Sequence, residues 1–195
     1  MRRIGIYSGT FNPVHSGHIG FALQALTQAG LDKVYLMPER HHRQKTDVVH
    51  YAHRVAMLRQ AIKPHPGLAL LETADISFSV DRTLPRLKRQ FATDELVFLM
   101  GSDLLGGLAD WPGVDKLIGG FELVIGVRDG DQTKLPQLIG QLPFKPKRLQ
   151  LINSYASGVS STKIREALRS RSETKGVLTS VERYSNRNWL YISLA

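Results

Sequence analysis

The sequence predicts an α/β fold in which helices cover a mainly parallel, doubly wound sheet. Short apolar runs alternate along the chain with stretches of helical periodicity, which is the order of βα units. The 195 residues suffice for one substantial core, and no Pro/Ser-rich linker or abrupt change in composition divides them. We therefore predict a single domain over residues 1–195, whose C-terminal part, from about residue 160, is helical.

The predicted strands are six apolar runs, at residues 4–7, 33–37, 68–71, 95–100, 121–127 and 148–152. After the first run a helix opens at Gly17 and ends near Gly30, and an amphipathic helix near residues 53–62 precedes the third run. Another helix begins at Ser160, which can cap its first N–H groups. Parallel sheets bind ligands at the carboxyl ends of their strands, so the residues that follow the strands should share one edge.

The turn after the first predicted strand holds two histidines between glycines, and residues 9–18 read Gly-Thr-Phe-Asn-Pro-Val-His-Ser-Gly-His. The unpaired N–H groups and the positive dipole end of the following helix favour an anion in this turn. As an isolated pattern, His15 and His18 could instead only cap or solvate a tight turn. A zinc site is the weaker interpretation, because the chain has no cysteine and no H-E-x-x-H helix.

The helix that begins at Ser160 carries two cations, Lys163 and Arg165, in its first turn. Acidic residues are normally preferred there by about 0.3–1 kcal/mol each, because cations oppose the helix dipole. A bound polyphosphate would turn this misfit into attraction. The alternative is a solvated basic helix end with an ordinary serine cap.

The net charge of +9 lies mainly in the C-terminal quarter, where residues 145–187 contain ten Lys or Arg residues and three Glu residues. Such a surface could bind nucleic acid or steer small polyanions into a cleft. We do not expect nucleic acid, since the chain has no basic stripe interleaved with aromatic residues, no zinc-finger spacing and no RNP-type strand. Without an apolar signal segment or a run of about 18 apolar residues, we expect a cytoplasmic protein with no membrane partner.

Taken in order, these motifs resemble those of the nucleotidyltransferases that carry H-x-G-H in a Rossmann-like domain. The second signature corresponds to Val-Ser-Ser-Thr-Lys-Ile-Arg at residues 159–165, and the middle motif to Gly-Ser-Asp at residues 101–103 followed by Trp111. Within that superfamily the chain most resembles the nicotinate mononucleotide adenylyltransferases. Further similar stretches cover nearly the whole length, at residues 53–58, 77–81, 128, 181–184 and 190–191.

The resemblance implies transfer of AMP from ATP to nicotinate mononucleotide, a step of NAD biosynthesis that gives nicotinate adenine dinucleotide and pyrophosphate. His15, His18 and Arg165 would be the catalytic residues. The ATP-binding residues would be Gly9, Thr10, Phe11, His15, His18, Gly101, Asp103, Ser161, Thr162 and Arg165. The acceptor-binding residues would be Lys45, Ser79, Trp111 and Arg128. Mg²⁺ would arrive bound to the ATP phosphates, without a dedicated metal site on the protein.

Three of these assignments have a plain alternative. Asp103 could cap a helix instead of accepting a hydrogen bond from a ribose hydroxyl. Trp111 could belong to the core, although its polar N–H suits a loop platform for a pyridine ring. Lys45 could be a solvated loop lysine and not a phosphate contact.

The chain departs from the family pattern mainly on the acceptor side. Asn12 replaces a common Asp, which removes a charge without removing hydrogen bonding, whereas the loop at residues 39–45 lacks the usual Pro-Pro-His-Lys run. Phe78 replaces a usual Tyr, Arg82 replaces a small polar residue, and no proline follows Arg128. The acceptor therefore stays open between nicotinate mononucleotide, nicotinamide mononucleotide and another phosphomonoester such as 4′-phosphopantetheine. A basic nucleotide- or nucleic-acid-binding module without turnover is the alternative of another class, and homo-oligomerisation also stays open.

Overall fold

A parallel α/β sheet organises the computed structural model, which describes residues 1–40, 47–128, 130–142, 145–153, 158–173 and 175–192. The predicted fold class is confirmed. Within these ranges six parallel strands lie side by side in the order β3-β2-β1-β4-β5-β6. They are β1 (Arg3–Gly9), β2 (Lys33–Pro38), β3 (Leu68–Leu70), β4 (Glu95–Gly101), β5 (Glu122–Val127) and β6 (Arg148–Asn153). Each lies within two residues of its predicted bounds.

The helices connect these strands and cover both faces of the sheet. They are α1 (Ser16–Gln28), α2 (Tyr51–Ile62), α3 (Thr83–Gln90), α4 (Leu105–Leu108), α5 (Val114–Ile118), α6 (Leu135–Gly140), α7 (Ser161–Ser170) and α8 (Thr179–Arg187), with a 3-10 turn at Ser102–Leu104. The sequence analysis did not predict α3 to α6, because helices of four to eight residues are too short to show a clear period. No helix in the described part of the chain has the length and apolar character needed to cross a bilayer.

Alternate residues of each central strand enter two different apolar cores. In β4, Val97 and Leu99 pack in the core beneath α1, α2, α7 and α8, whereas Leu96 and Phe98 pack in the core beneath α3 to α6. Side chains of successive strand residues point to opposite faces, and a parallel sheet covered on both faces is apolar on both. The near-continuous apolar runs that predicted the strands are therefore explained by two buried faces.

The strand order reverses between β1 and β4, which defines where a ligand is expected. From β1 the chain builds outward through β2 and β3, then returns to the other side of β1 and continues through β4, β5 and β6. The carboxyl ends of β1 and β4, at Gly9 and Gly101, therefore flank the switch in strand order. Open parallel sheets bind ligands in the crevice at this point.

Candidate active site

A cavity of about 310 Å³ lies at the switch point and brings together residues from all the predicted ATP motifs. The predicted residues that line it are Gly9, Thr10, Phe11, His15, His18, Gly101, Asp103, Trp111, Arg128, Ser161, Thr162 and Arg165. Ser79 is not among its lining residues, and Lys45 lies outside the described residues. A larger open groove of about 830 Å³ between α7 and α8 contains none of the predicted residues.

The turn after β1 is held in shape by a buried aromatic side chain, Phe11. Its backbone φ is +47°, in the left-handed region, and its side chain is only 1 % exposed. The ring packs edge-on against Tyr7 at 5.5 Å and against the imidazole of His18 at 5.0 Å between centroids. A Cβ at Gly9 would lie 3.2 Å from the Phe11 ring, so glycine allows the strand to approach the turn this closely.

The imidazoles of His15 and His18 stack, with ring centroids 3.6 Å apart and planes 30° from parallel. His15 is buried, and its Nδ1 has no hydrogen-bond partner among the described residues. Burial lowers the pKa of His15 from 6.5 to about 3, with a smaller contribution from the positive charge of Arg128. His15 is therefore a neutral imidazole at physiological pH.

A backbone hydrogen bond selects the tautomer of His18. Its Nδ1 accepts from the backbone N–H of His15 at 3.2 Å. A neutral imidazole whose Nδ1 is an acceptor carries its proton on Nε2. The proton of His18 therefore lies on Nε2, and His18 lines the cavity.

The N-terminus of α7 is hydrogen-bonded to the turn after β1. Ser161 Oγ donates to the carbonyl of Pro13 at 3.0 Å, and Arg165 Nη1 donates to the carbonyl of Asn12 at 3.0 Å. The predicted serine cap is present, since Ser160 Oγ accepts from the backbone N–H of Lys163 at 3.3 Å. Two helix N-termini, each with the positive end of its dipole, therefore border one cavity.

Arg165 is the cation that α7 places at this cavity. Only 17 % of its side chain is exposed, and its Nε lies 3.7 Å from a carboxylate oxygen of Asp47. Its Nη2 lies 3.5 Å from the hydroxyl of Thr162. The guanidinium is thus oriented by one carbonyl and one carboxylate, in a geometry that leaves N–H groups for phosphate oxygens.

On the other side of the switch point, Asp103 pairs with Arg128. Their closest oxygen and nitrogen are 3.3 Å apart, and about half of each side chain is exposed. Asp103 does not cap the 3-10 turn, whose N-cap residue is Gly101. A Cβ at Gly101 would clash with Asp103 Oδ1, so a larger residue there would displace the carboxylate from its position over the end of β4. Ser102 supports this corner, accepting from the backbone N–H of Arg128 at 3.1 Å.

The far end of the cavity is aromatic. The half-buried Trp111 lines it and also packs on the core beneath α3 to α6, and its stacking on a pyridine ring stays a prediction. Its ring centroid is 6.1 Å from that of Phe78, which in turn is 5.6 Å from that of Phe98. Ser79 instead shapes the start of α3, where its backbone N–H donates to Thr83 Oγ1 at 3.0 Å.

Arg54, the largest fully buried side chain of the chain's described part, has a role that was not predicted from the sequence. From α2 its guanidinium donates to four carbonyls: Thr10 and Glu39 at 2.7 Å, Arg40 at 2.9 Å and Val49 at 3.1 Å. Burial lowers its pKa, yet an arginine stays charged in a protein. Arg54 therefore ties the turn after β1 to the segment after β2. The sequence feature that could have indicated this role is an arginine beside the apolar residues of α2.

Asn12 keeps the hydrogen bonding that the sequence analysis expected of it. Its Nδ2 donates to the carbonyl of Asp47 at 2.8 Å, while its Oδ1 accepts from the hydroxyl of Tyr191 at 2.8 Å and from the backbone N–H of Val49 at 3.3 Å. An aspartate at this position could accept the two hydrogen bonds made at Oδ1, but it could not donate to the carbonyl of Asp47. The amide thus links the turn to the C-terminal segment.

Comparison with known proteins agrees with this geometry. The sequence model of the cytidylyltransferase-like family matches residues 6–167. Nicotinate-nucleotide adenylyltransferase from Bacillus subtilis is 34 % identical, over 99 % of this chain and 100 % of that protein. The chain belongs to the nicotinate-nucleotide adenylyltransferase family. The predicted resemblance is therefore confirmed over the full length, and not only at the motifs.

A more distant member of this family is the probable nicotinate-nucleotide adenylyltransferase of Bordetella petrii, 31 % identical over 98 % of the chain and 100 % of that protein. Among solved structures, Plasmodium falciparum nicotinic acid mononucleotide adenylyltransferase complexed with NaAD matches with a TM-score of 0.81 and 19 % identity, each chain being fully covered. The same protein complexed with APC matches with a TM-score of 0.82 and 18 % identity. At these identities the structures support the fold.

Proposed function

We propose that the protein transfers AMP from ATP to nicotinate mononucleotide and releases nicotinate adenine dinucleotide and pyrophosphate. The observation that carries this proposal is the union of two anion-binding segments at the switch point. Ser161 and Arg165 of α7 donate to the carbonyls of Pro13 and Asn12, so both segments border the same cavity. The full-length relatives bear the name of this activity.

The reaction asks for positioning more than for covalent chemistry. A phosphate oxygen of the acceptor attacks the α-phosphorus of ATP, a P–O bond forms in line, and pyrophosphate leaves with the electron pair of the broken bond. No protein nucleophile is needed. Holding two reactants in attack geometry can contribute about 7–11 kcal/mol, and preplaced donors stabilise the charge that develops.

In this proposal the two histidines act as hydrogen-bond donors to the phosphates. His18 Nε2–H would donate to the α-phosphate, since its Nδ1 is occupied by the backbone of His15. Neutral His15 would support the same group without bringing a charge into the buried turn. Backbone groups of Gly9, Thr10 and Phe11 would approach the nucleotide along the end of β1.

The first turn of α7 would hold the departing pyrophosphate. Arg165 presents a forked guanidinium suited to two phosphate oxygens, and Ser161 and Thr162 add hydroxyls beside it. Lys163 is also in this turn, although its Nζ donates to the carbonyl of Gly158 at 3.2 Å. The cations that oppose the helix dipole would thereby be neutralised by the ligand.

The remaining predicted residues would orient the two nucleosides. Asp103 would accept a hydrogen bond from a ribose hydroxyl of adenosine, and Trp111 would stack on the pyridine ring. Arg128, paired with Asp103, would approach the acceptor, and Lys45 and Ser79 stay predicted acceptor contacts. Cytoplasmic location and the absence of nucleic-acid binding also stay predictions.

The polar side chains that the turn after β1 and α7 contribute to the cavity lining, such as His18, Ser161 and Arg165, carry N–H and O–H donors, which suit phosphate oxygens. Within the described ranges, no group of three or more His, Asp or Glu side chains is arranged to hold a metal ion. We therefore propose that a divalent ion, Mg²⁺, enters with the ATP phosphates, where it would neutralise part of their charge. The donors from the turn and from α7 would then bind the remaining phosphate oxygens.

A direct product assay tests the proposal. Purified protein is incubated with ATP, Mg²⁺ and one acceptor at a time: nicotinate mononucleotide, nicotinamide mononucleotide or 4′-phosphopantetheine. We expect pyrophosphate release together with the mass of nicotinate adenine dinucleotide in the first reaction. Absence of pyrophosphate with all three acceptors would refute an adenylyltransferase, whereas product from 4′-phosphopantetheine alone would reassign the acceptor.

A further inference from the structure

An acidic residue, Glu39, lines the cavity together with Phe78 and Trp111. It follows β2 directly, and its backbone N–H donates to the carbonyl of Gly9 at 3.0 Å. Its Oε1 accepts from the hydroxyl of Ser8 at 3.3 Å and from the backbone N–H of Phe78 at 3.4 Å. Two weak neutral donors thus hold a half-buried carboxylate against the wall of the cavity.

This carboxylate has no cationic side chain bound to it in the described ranges. The ion pairs found there do not include Glu39. The neighbouring guanidinium of Arg54 contacts the main-chain carbonyl of Glu39 and three further carbonyls. The positive charge of Arg54 also acts on this carboxylate, although the two side chains form no ion pair. A half-buried carboxylate without an ion pair favours a further cationic partner, and a ligand in the cavity can supply one.

The surroundings of Glu39 suit a planar cation. The carboxylate accepts from the backbone N–H of Phe78, whose ring centroid lies 6.1 Å from that of Trp111, and all three residues line the cavity. Aromatic faces attract cations, and a carboxylate beside them adds a direct charge interaction. The pyridine ring of a mononucleotide is such a cation, because its ring nitrogen is bonded to the ribose and carries a positive charge.

We propose that Glu39 is a specificity-determining residue of the acceptor subsite, attracting the pyridinium ring and disfavouring a carboxylate on that ring. The inference rests on the proposed function, which brings a pyridine mononucleotide to the aromatic end of the cavity. Nicotinate carries a ring carboxylate that Glu39 repels, whereas nicotinamide carries a neutral amide whose N–H groups can donate to Glu39. Glu39 therefore shifts acceptor preference toward nicotinamide mononucleotide.

The test compares both acceptors in the wild type, in Glu39→Gln and in Glu72→Gln. Glu39→Gln keeps the shape and the acceptor oxygen but removes the charge. Glu72→Gln removes an acidic group that pairs with Arg59 on the surface, outside the cavity lining. We expect the ratio of kcat/KM for nicotinate over nicotinamide mononucleotide to rise about tenfold or more in Glu39→Gln, equivalent to about 1.4 kcal/mol, and to stay at the wild-type value in Glu72→Gln.

A ratio that changes less than about threefold in Glu39→Gln, or equally in both variants, overturns the inference. Failure of the proposed function has a different signature, namely that the wild type makes no dinucleotide from either acceptor. In that case, calorimetric titration of both mononucleotides in the presence of a non-hydrolysable ATP analogue tests the role of Glu39 independently of turnover. A tenfold shift in the ratio of Kd values supports its role, and an unchanged ratio or the absence of binding overturns it.

Discussion

The phosphate end and the acceptor end of the cavity are built in different ways. The phosphate end consists of two contiguous segments, residues 9–18 and 160–165, joined by the hydrogen bonds of Ser161 and Arg165. The acceptor end consists of single side chains from separate loops, among them Glu39, Phe78 and Trp111. In the proposed function, phosphate binding would depend on the local geometry of helix N-termini, whereas the choice of acceptor would depend on side chains that only the fold brings together.

The largest effect is expected on stability, from a substitution of Arg54, which joins the two ends. Arg54→Met should lower the free energy of unfolding by about 2–6 kcal/mol, because at least two of its four carbonyls would lose their partner at about 1–3 kcal/mol each. Arg59→Met changes an exposed arginine of the same helix and should stay within about 0.5 kcal/mol of the wild type. Chemical denaturation measures both. Equal stabilities would mean that the two ends are held together without Arg54.

A loss of activity caused by a substitution at the proposed phosphate end should be the same with either acceptor. His18→Ala removes the proposed donor to the α-phosphate, and kcat should fall about 10²–10³-fold with either pyridine mononucleotide. His65→Ala, which changes a histidine outside the cavity lining, should keep full turnover. Steady-state kinetics on both acceptors provide the measurement. A loss confined to one acceptor would place His18 at the acceptor end.

The buried imidazole of His15 predicts a pH dependence of stability. Its pKa is lowered from 6.5 to about 3 by burial, so below pH 6.5 the unfolded chain binds a proton that the folded protein excludes. Stability therefore falls with decreasing pH between about 6.5 and 3, by up to about 1.4 kcal/mol per pH unit for this one proton. His15→Asn should lose about 1 kcal/mol less than the wild type between pH 6 and 5. Parallel denaturation profiles of the two proteins would contradict a neutral His15.

The smallest effect is expected at the acceptor end. Trp111→Leu keeps an apolar side chain but removes the aromatic face, so KM for the pyridine mononucleotide should rise about 2–10-fold, in line with about 0.5–1.5 kcal/mol for an aromatic pair. KM for ATP should not change. Trp189→Leu, at a tryptophan that is 74 % exposed and outside this cavity, is the matched control. A rise in KM for ATP would show that Trp111 serves the donor nucleotide.

Most of the fold could be predicted from the sequence, and the exceptions are the short helices α3 to α6. The central strands β4 and β5 are buried and apolar on both faces, as Val97 and Phe98 show in β4, so they stand out as near-continuous apolar runs. The helices α3 to α6 are short and owe their stability to packing on the sheet, which leaves little periodicity to find. The division into a single domain stays a prediction.

The candidate site was predictable to the extent that its residues are close in the chain. His15, His18 and Arg165 belong to motifs whose type and spacing already indicate phosphate binding. Ser79 was predicted from the same resemblance, but its backbone is engaged at the start of α3 and its side chain is not part of the cavity lining. The charge of Glu39 became meaningful only once its neighbours Phe78 and Trp111 were known.

The sequence by itself therefore determined the class of fold, the family and the two segments that we propose to bind phosphate. These features are local, since a strand, a turn and a helix N-terminus are each specified by residues next to one another. The tertiary structure alone decided that Arg54 joins the turn after β1 to the segment after β2 and that Glu39 lines the same cavity as Phe78 and Trp111. Arg54 binds backbone carbonyls, which every residue possesses, so the contact leaves no recognisable partner in the sequence. Glu39 contacts Phe78 across 39 residues, a distance that only folding closes.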